Sequence, residues 1–304
     1  TTVATMIDGR LDLAIRRDLG LGTHAARILD AVPLSSVLRW LPYEIDAAEA
    51  HNALQNKAIH WRTLPQTPAD LFLEQAVARE VLRLTLSELK CQWQQGNLRS
   101  YAGLPKFHLI VGAGGVLANV PDSGQAALIL LDGLQPAGAC GLALDRVGLA
   151  SPLGAVAGAN PLAAAEVMGR DALLKLGTVI ALVGTAQEGE PALTCRIEYQ
   201  DGRSLVAEVP AGSLRVIPLP AGQRANLELR PTRHFDVGLG VRGQAGATQV
   251  EGGALGIILD ARGRPLPMAE SVQEQQQKMQ GWLREMGALT SKGVPAPSSP
   301  AGGE

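Results

Sequence analysis

The segment Phe107-His108-Leu109-Ile110-Val111 is a short apolar run that feeds directly into Gly112-Ala113-Gly114-Gly115. A run of this length bounded by glycine reads as a buried strand. A strand that ends in glycines lets backbone approach a ligand closely, because glycine lacks a Cβ and tolerates positive φ. Pro121-Asp122-Ser123 then opens a helix through Leu134, Gly138 closes it, and Cys140 to Leu144 forms a second apolar run. Strand, glycine turn, helix, strand is the order of a parallel crossover unit, whose ligands gather at the carboxyl ends of the strands. This stretch is therefore constrained to an α/β core, with Gly112, Ala113, Gly114 and Gly115 as its candidate ligand turn. Taken alone, such a turn is more often plain turn chemistry than a nucleotide site.

The flanking sequence is consistent with that core. Thr1 to Met6 is β-branched, Asp8-Gly9 is a two-residue hairpin signal, and Leu11, Leu13 and Ile15 alternate with polar neighbours as a half-buried return strand would. The chain reads as if it begins in the middle of a sheet. After the loop Asp18-Leu19-Gly20-Leu21-Gly22, Thr23 is placed to cap a short helix through Ala31, and Pro33 to Gln66 reads as helical pieces joined by turns. Thr67 followed by Pro68, with Leu73, Val77, Val81 and Leu84 at helical spacing, predicts a long helix from about Pro68 to Gln92. Asn160-Pro161 begins an Ala-rich helix through Met168.

Beyond Asp171 the helical period disappears. Short β-type runs separated by Gly, Pro and Asp-Gly turns take over, among them Leu173 to Leu182, Leu214 to Leu219, Ala225 to Leu229 and Ala254 to Leu259. Thr194 to Tyr199 and Ser204 to Val209 flank Asp201-Gly202 as a hairpin. The expected division is an α/β domain over 1–169 and an all-β barrel or sandwich over 170–268. A peripheral helix over 269–289, with Met279, Trp282, Leu283 and Met286 on one face, and a disordered Pro/Ser/Gly tail over 290–304 complete the chain.

Composition excludes several classes of function. A net charge of −2 supplies no field for phosphate backbones, so nucleic acid is not expected as a partner. Cys91, Cys140 and Cys195 form no C-x-x-C pair and read as reduced, mostly buried thiols. His24, His51, His60, His108 and His234 lack metal-ligand spacing, and no Ser-His-Asp order stands out. No apolar run approaches the roughly 20 residues of a membrane span, and no signal-peptide pattern opens the sequence, so a cytoplasmic location is expected.

Four segments occur in an order that resembles a known family. They are Ile15-Arg16-Arg17-Asp18-Leu19-Gly20-Leu21-Gly22, Leu64-Pro65-Gln66-Thr67 before the long helix, Leu109 to Leu117, and Leu144-Asp145-Arg146-Val147-Gly148-Leu149 with Pro152-Leu153-Gly154. Together they are similar to the accessory proteins of glutamate mutase called MutL proteins, over roughly Thr1 to Met168. That family resembles the actin, Hsp70 and sugar-kinase superfamily, in which two similar halves clamp ATP between phosphate hairpins and an adenosine-binding Gly-Gly turn.

The resemblance implies the second half of an actin-like, ribonuclease H-like ATPase domain, with ATP and Mg2+ as cofactor and an adenosylcobalamin-dependent mutase as partner. It implies that Thr1 to Arg16 corresponds to the second phosphate hairpin already under way. Gly112 to Gly115 corresponds to the adenosine turn, with Asp18 and Gly20 beside the nucleotide. Arg16 and Arg17 depart from the family pattern, which carries an acidic residue and a glycine before Asp-Leu-Gly; they read as a solvated pair or as a phosphate contact. Asp145 reads as a local salt bridge or as a group facing the cleft. The expected activity is ATP-dependent accessory or reactivation work, without turnover by these residues alone. The alternative is a binding or scaffold module that retains the fold and does not hydrolyse.

Overall fold

A computed structural model describes residues 1–95, 106–170 and 172–289. The expected tail over 290–304 lies outside the described residues, as does Asp171. The first elements are the strands β1 (Thr2–Ile7) and β2 (Arg10–Ile15), paired antiparallel from Thr2 opposite Ile15 to Ile7 opposite Arg10. Asp8 and Gly9 both sit at positive φ, 49° and 76°, which is the backbone demanded by a two-residue hairpin of this hand.

Thr23 does not cap the next segment. Its hydroxyl meets the His24 ring, and a single 3-10 turn over Ala25–Arg27 runs into α1 (Ile28–Ala31) with no side-chain cap. Two further helices follow, α2 (Leu34–Leu38) and α3 (Ala47–Ile59), the latter capped by Asp46. The long helix α4 spans Pro68–Gln95. Thr67 and Asp70 close its start reciprocally: the Asp70 amide donates to Thr67 Oγ1 at 3.1 Å and the Thr67 amide to Asp70 Oδ2 at 3.0 Å.

The crossover unit forms as β3 (Leu109–Ala113), α5 (Gly115–Ala118), α6 (Ser123–Leu134) and β4 (Gly138–Asp145), with β3 and β4 parallel. Gln135, in the left-handed conformation, ends α6, whereas Gly138 opens β4 rather than closing the helix. Two helices absent from or shortened in the sequence reading come next, α7 (Ala150–Ala157) and α8 (Pro161–Arg170). The remaining strands are β5 (Leu174–Ala181), β6 (Val183–Gly184), β7 (Pro191–Tyr199), β8 (Ser204–Pro210) and β9 (Leu214–Ile217). After them come β10 (Arg224–Pro231), β11 (Phe235–Asp236), β12 (Gly246–Glu251), β13 (Gly256–Asp260) and the helix α9 (Val272–Glu285).

The central sheet has the order β3-β4-β5-β13-β9, and a four-stranded antiparallel sheet runs β12-β10-β7-β8. The expected division near Gly169 falls in the connection between β4 and β5, neighbours in the same sheet that pair from Gly138 opposite Ala181 to Leu144 opposite Leu174. Alternation distributes their side chains. Val179, Ala181 and Ile258 face a core made with α4, α6 and α9, while Ile180, Ile257 and Leu259 face the four-stranded sheet. Helices therefore cover one side of β5 and β13 and strands the other. The helix expected at the periphery buries Met279, Trp282, Leu283 and Met286 in the helical-side core, so its apolar face is structural.

A buried ionic cluster crosses the same junction. Asp132 of α6 accepts from Arg79 Nε of α4 at 2.8 Å and from Arg262 Nη1 at 2.7 Å, and Asp260 at the end of β13 accepts from Arg262 and Arg264. All five groups are buried. No described helix is long and apolar enough to cross a membrane.

Candidate functional site

Gly112 and Ala113 end β3, and Gly114 then turns the chain at φ 103° before Gly115 starts α5. These small residues serve different ends. A Cβ at Gly112 would meet Leu117 at 2.9 Å, Leu144 at 3.1 Å and Leu130 at 3.2 Å, so that glycine is required by packing. A Cβ at Gly114 would meet nothing within 4 Å, and one at Gly115 only Asn119, at 3.8 Å. Gly114 is required by its backbone conformation, and beyond it the main chain of Gly114 and Gly115 lies open. Gly115 is the position in this turn where a side chain fits the protein without backbone strain.

Asp145 ends β4 opposite Ala113. Among the described residues it forms no salt bridge: its oxygens accept the amides of Leu149 at 2.9 Å and Ala150 at 2.8 Å and so open α7. Those backbone bonds, led by Ala150, hold its carboxyl below the usual range. Arg146 donates to the Ala118 carbonyl at 3.2 Å, tying this loop to α5.

Asp18 is exposed and clamped by Arg16, whose Nε and Nη2 lie 2.8 and 2.5 Å from its two oxygens. That hydrogen bond lowers the Asp18 carboxyl to about 2. Arg16 also reaches Glu88 at 3.2 Å, so it is neither a free solvated cation nor free for phosphate. Gly20 is half-buried, with open space where a Cβ would stand. Burial pushes the thiols of Cys140 and Cys195 up to about 12, leaving them without nucleophilic character, and the Cys91 side chain lies outside the described set.

A groove of about 500 Å3 runs between β1 and β3 and is walled by Thr2 to Asp8 on one side and Lys106 to Ala113 on the other. It brings Gly112 and Ala113 to the hairpin, but Gly114, Gly115, Asp18 and Gly20 do not line it. The turn fits close approach of a planar group, since its main chain is uncovered. Asp18 and Asp145 are both engaged, by Arg16 and by backbone amides, and the described residues contain no group of three or more His, Cys, Asp and Glu side chains able to hold a metal by themselves. The sequence reading missed the buried ionic cluster. Its only local sign is Asp132 in the otherwise apolar run Ala126 to Leu134.

No curated protein and no solved structure matches the chain. The family model described as MutL protein matches residues 1–172, more than half of the 304 residues. The matched span contains the hairpin, the long helix, the crossover unit with its glycine turn and the α7–α8 pair, and the chain therefore belongs to the MutL protein family, the accessory proteins of glutamate mutase.

Proposed function

We propose that this chain contributes an adenosine-binding turn, Gly114-Gly115, to an actin-like nucleotide cleft, and that nucleotide state there governs its association with an adenosylcobalamin-dependent mutase. The observation that carries this reading is the uncovered main chain of Gly114 and Gly115 at the carboxyl end of a parallel strand pair. ATP with Mg2+ is the ligand the family resemblance implies. The chain's own part is to receive the purine against its backbone; the metal and the groups that act on the terminal phosphate come from elsewhere, because the carboxylates here are engaged. That engagement favours a form that binds nucleotide and does not hydrolyse it, the second reading of the same site.

Titration calorimetry with ATP tests the proposal. A half-open site should bind with a Kd on the order of millimolar, and Gly115→Val should abolish the heat while leaving the unfolding midpoint in place. Unchanged affinity in Gly115→Val would reduce the turn to structure. Steady phosphate release from ATP and magnesium that vanishes in the same variant would refute the non-hydrolysing form.

A further inference from the structure

Both walls of the groove between β1 and β3 are strand edges. Among the described residues β1 pairs only with β2, and β3 only with β4, so each presents one row of main-chain groups without a described partner. Their direction follows from the ladders. Thr1 and Arg16 exchange backbone bonds at 2.8 and 2.9 Å, and antiparallel alternation then turns the amides and carbonyls of Thr2, Ala4 and Met6 away from β2. In the parallel pair the Gly141 amide donates to the His108 carbonyl at 2.8 Å, which turns Leu109, Val111 and Ala113 away from β4. The same two strands wall the groove along their lengths.

The floor is apolar, formed by Leu82 and Leu86 of α4 and by Leu130 and Leu134 of α6. On the wall, Thr5 is 9% exposed and its hydroxyl has no hydrogen-bond partner among the described residues. A polar group buried in that state is unfavourable until an acceptor arrives. Small molecules and globular surfaces cannot satisfy two facing rows of main-chain groups over an apolar floor. An extended polypeptide can, because it carries donors and acceptors on both sides and side chains alternately up and down.

We infer that this groove is a strand-acceptor site, filled by an extended segment of a partner polypeptide that carries apolar side chains at alternate positions toward Leu82, Leu86, Leu130 and Leu134. The inserted strand joins the β1–β2 hairpin to the central sheet as one continuous sheet. This inference is independent of nucleotide binding.

The test uses the chain as it stands and an acetylated, amidated eight-residue peptide that alternates valine with lysine. A control peptide carries proline at two central positions and cannot donate there. Saturable binding by fluorescence anisotropy is expected, weakened about tenfold or more by proline. Amide exchange at Thr2, Ala4, Met6, Leu109 and Val111 should slow on binding, while Ile110, whose amide faces β4, should not change. Val111→Pro removes one groove-facing donor without touching the β4 ladder and should weaken the peptide to a similar degree. Equal binding of both peptides, protection that does not alternate along β3, or these amides already protected in the free chain would overturn the inference. So would concentration-dependent self-association that protects the same amides without peptide.

Discussion

Residues 1–170 and 172–289 share one sheet, yet they finish their surfaces differently. In the second region the four-stranded sheet lies over β5, β13 and β9, and α9 lies on the opposite side, so both faces of those strands are covered. In the first region Met6, Leu11, Leu13 and Ile15 form one exposed apolar face of the hairpin, and Leu109 and Val111 are exposed on β3. The α7 helix has no buried residue and α8 has only Ala164. Apolar surface in contiguous patches marks a place where something binds. The contrast assigns the closed core to the later strands and contact surface to the span that matches the family.

The comparison is most exposed to failure at the ionic cluster that joins the two regions. Asp260→Ala leaves Arg262 and Arg264 buried without their shared carboxylate. A loss of about 3–5 kcal/mol is expected, read from urea unfolding. Far-UV dichroism and the fluorescence of the four tryptophans, Trp40, Trp61 and Trp93 in the first region and Trp282 in the second, should move together, and separated transitions would show that the regions unfold independently. The variant also has a pH signature. Burial opposes ionisation of Asp260, but Arg262 and Arg264 outweigh it and hold the folded carboxyl below its ordinary value of 3.8. A depressed folded value contributes stability that is present above 3.8 and lost as pH falls through the lower folded value. Native protein should lose stability below that point more steeply than Asp260→Ala.

A smaller effect sharpens the contrast within the first region. Gly112→Val forces a side chain against Leu117, Leu130 and Leu144 and should cost about 1–3 kcal/mol. Equal stability in Gly112→Val and Gly115→Val would remove the distinction between a packing glycine and an open one. The smallest effect concerns the start of α4. Thr67→Ala removes one half of the reciprocal cap with Asp70 and should lower stability by about 1 kcal/mol. A shift that appears in dichroism but not in the unfolding of the later strands would argue against a shared cooperative unit.

Much of the fold was legible where the signal was local. Asp8-Gly9 and Asp201-Gly202 named their hairpins, Thr67-Pro68 named the start of α4, and Met279 and Trp282 named the buried face of α9. The helix α7 gave no period to read because neither face is buried. The pairing of β4 with β5 left no local trace, since the register of two strands across two helices depends on tertiary packing. Asp132 meets Arg262 over 130 residues, beyond any motif. At the candidate site the positive φ of Gly114 could be anticipated from the turn. That Gly112 answers to leucines and Asp145 to backbone amides could not, because both depend on what the fold brings close.

The register of β3 on β4 also sets a mechanical relation. Ala113 lies opposite Asp145, so the residue before the open turn and the carboxylate that roots α7 occupy one rung of the sheet. The turn continues from the Ala113 end of that rung, and the α7–α8 pair, in which only Ala164 is buried, continues from the Asp145 end. A tilt of the rung carries both at once. The two uncovered surfaces are joined at this rung and a second time where Arg146 donates to the Ala118 carbonyl.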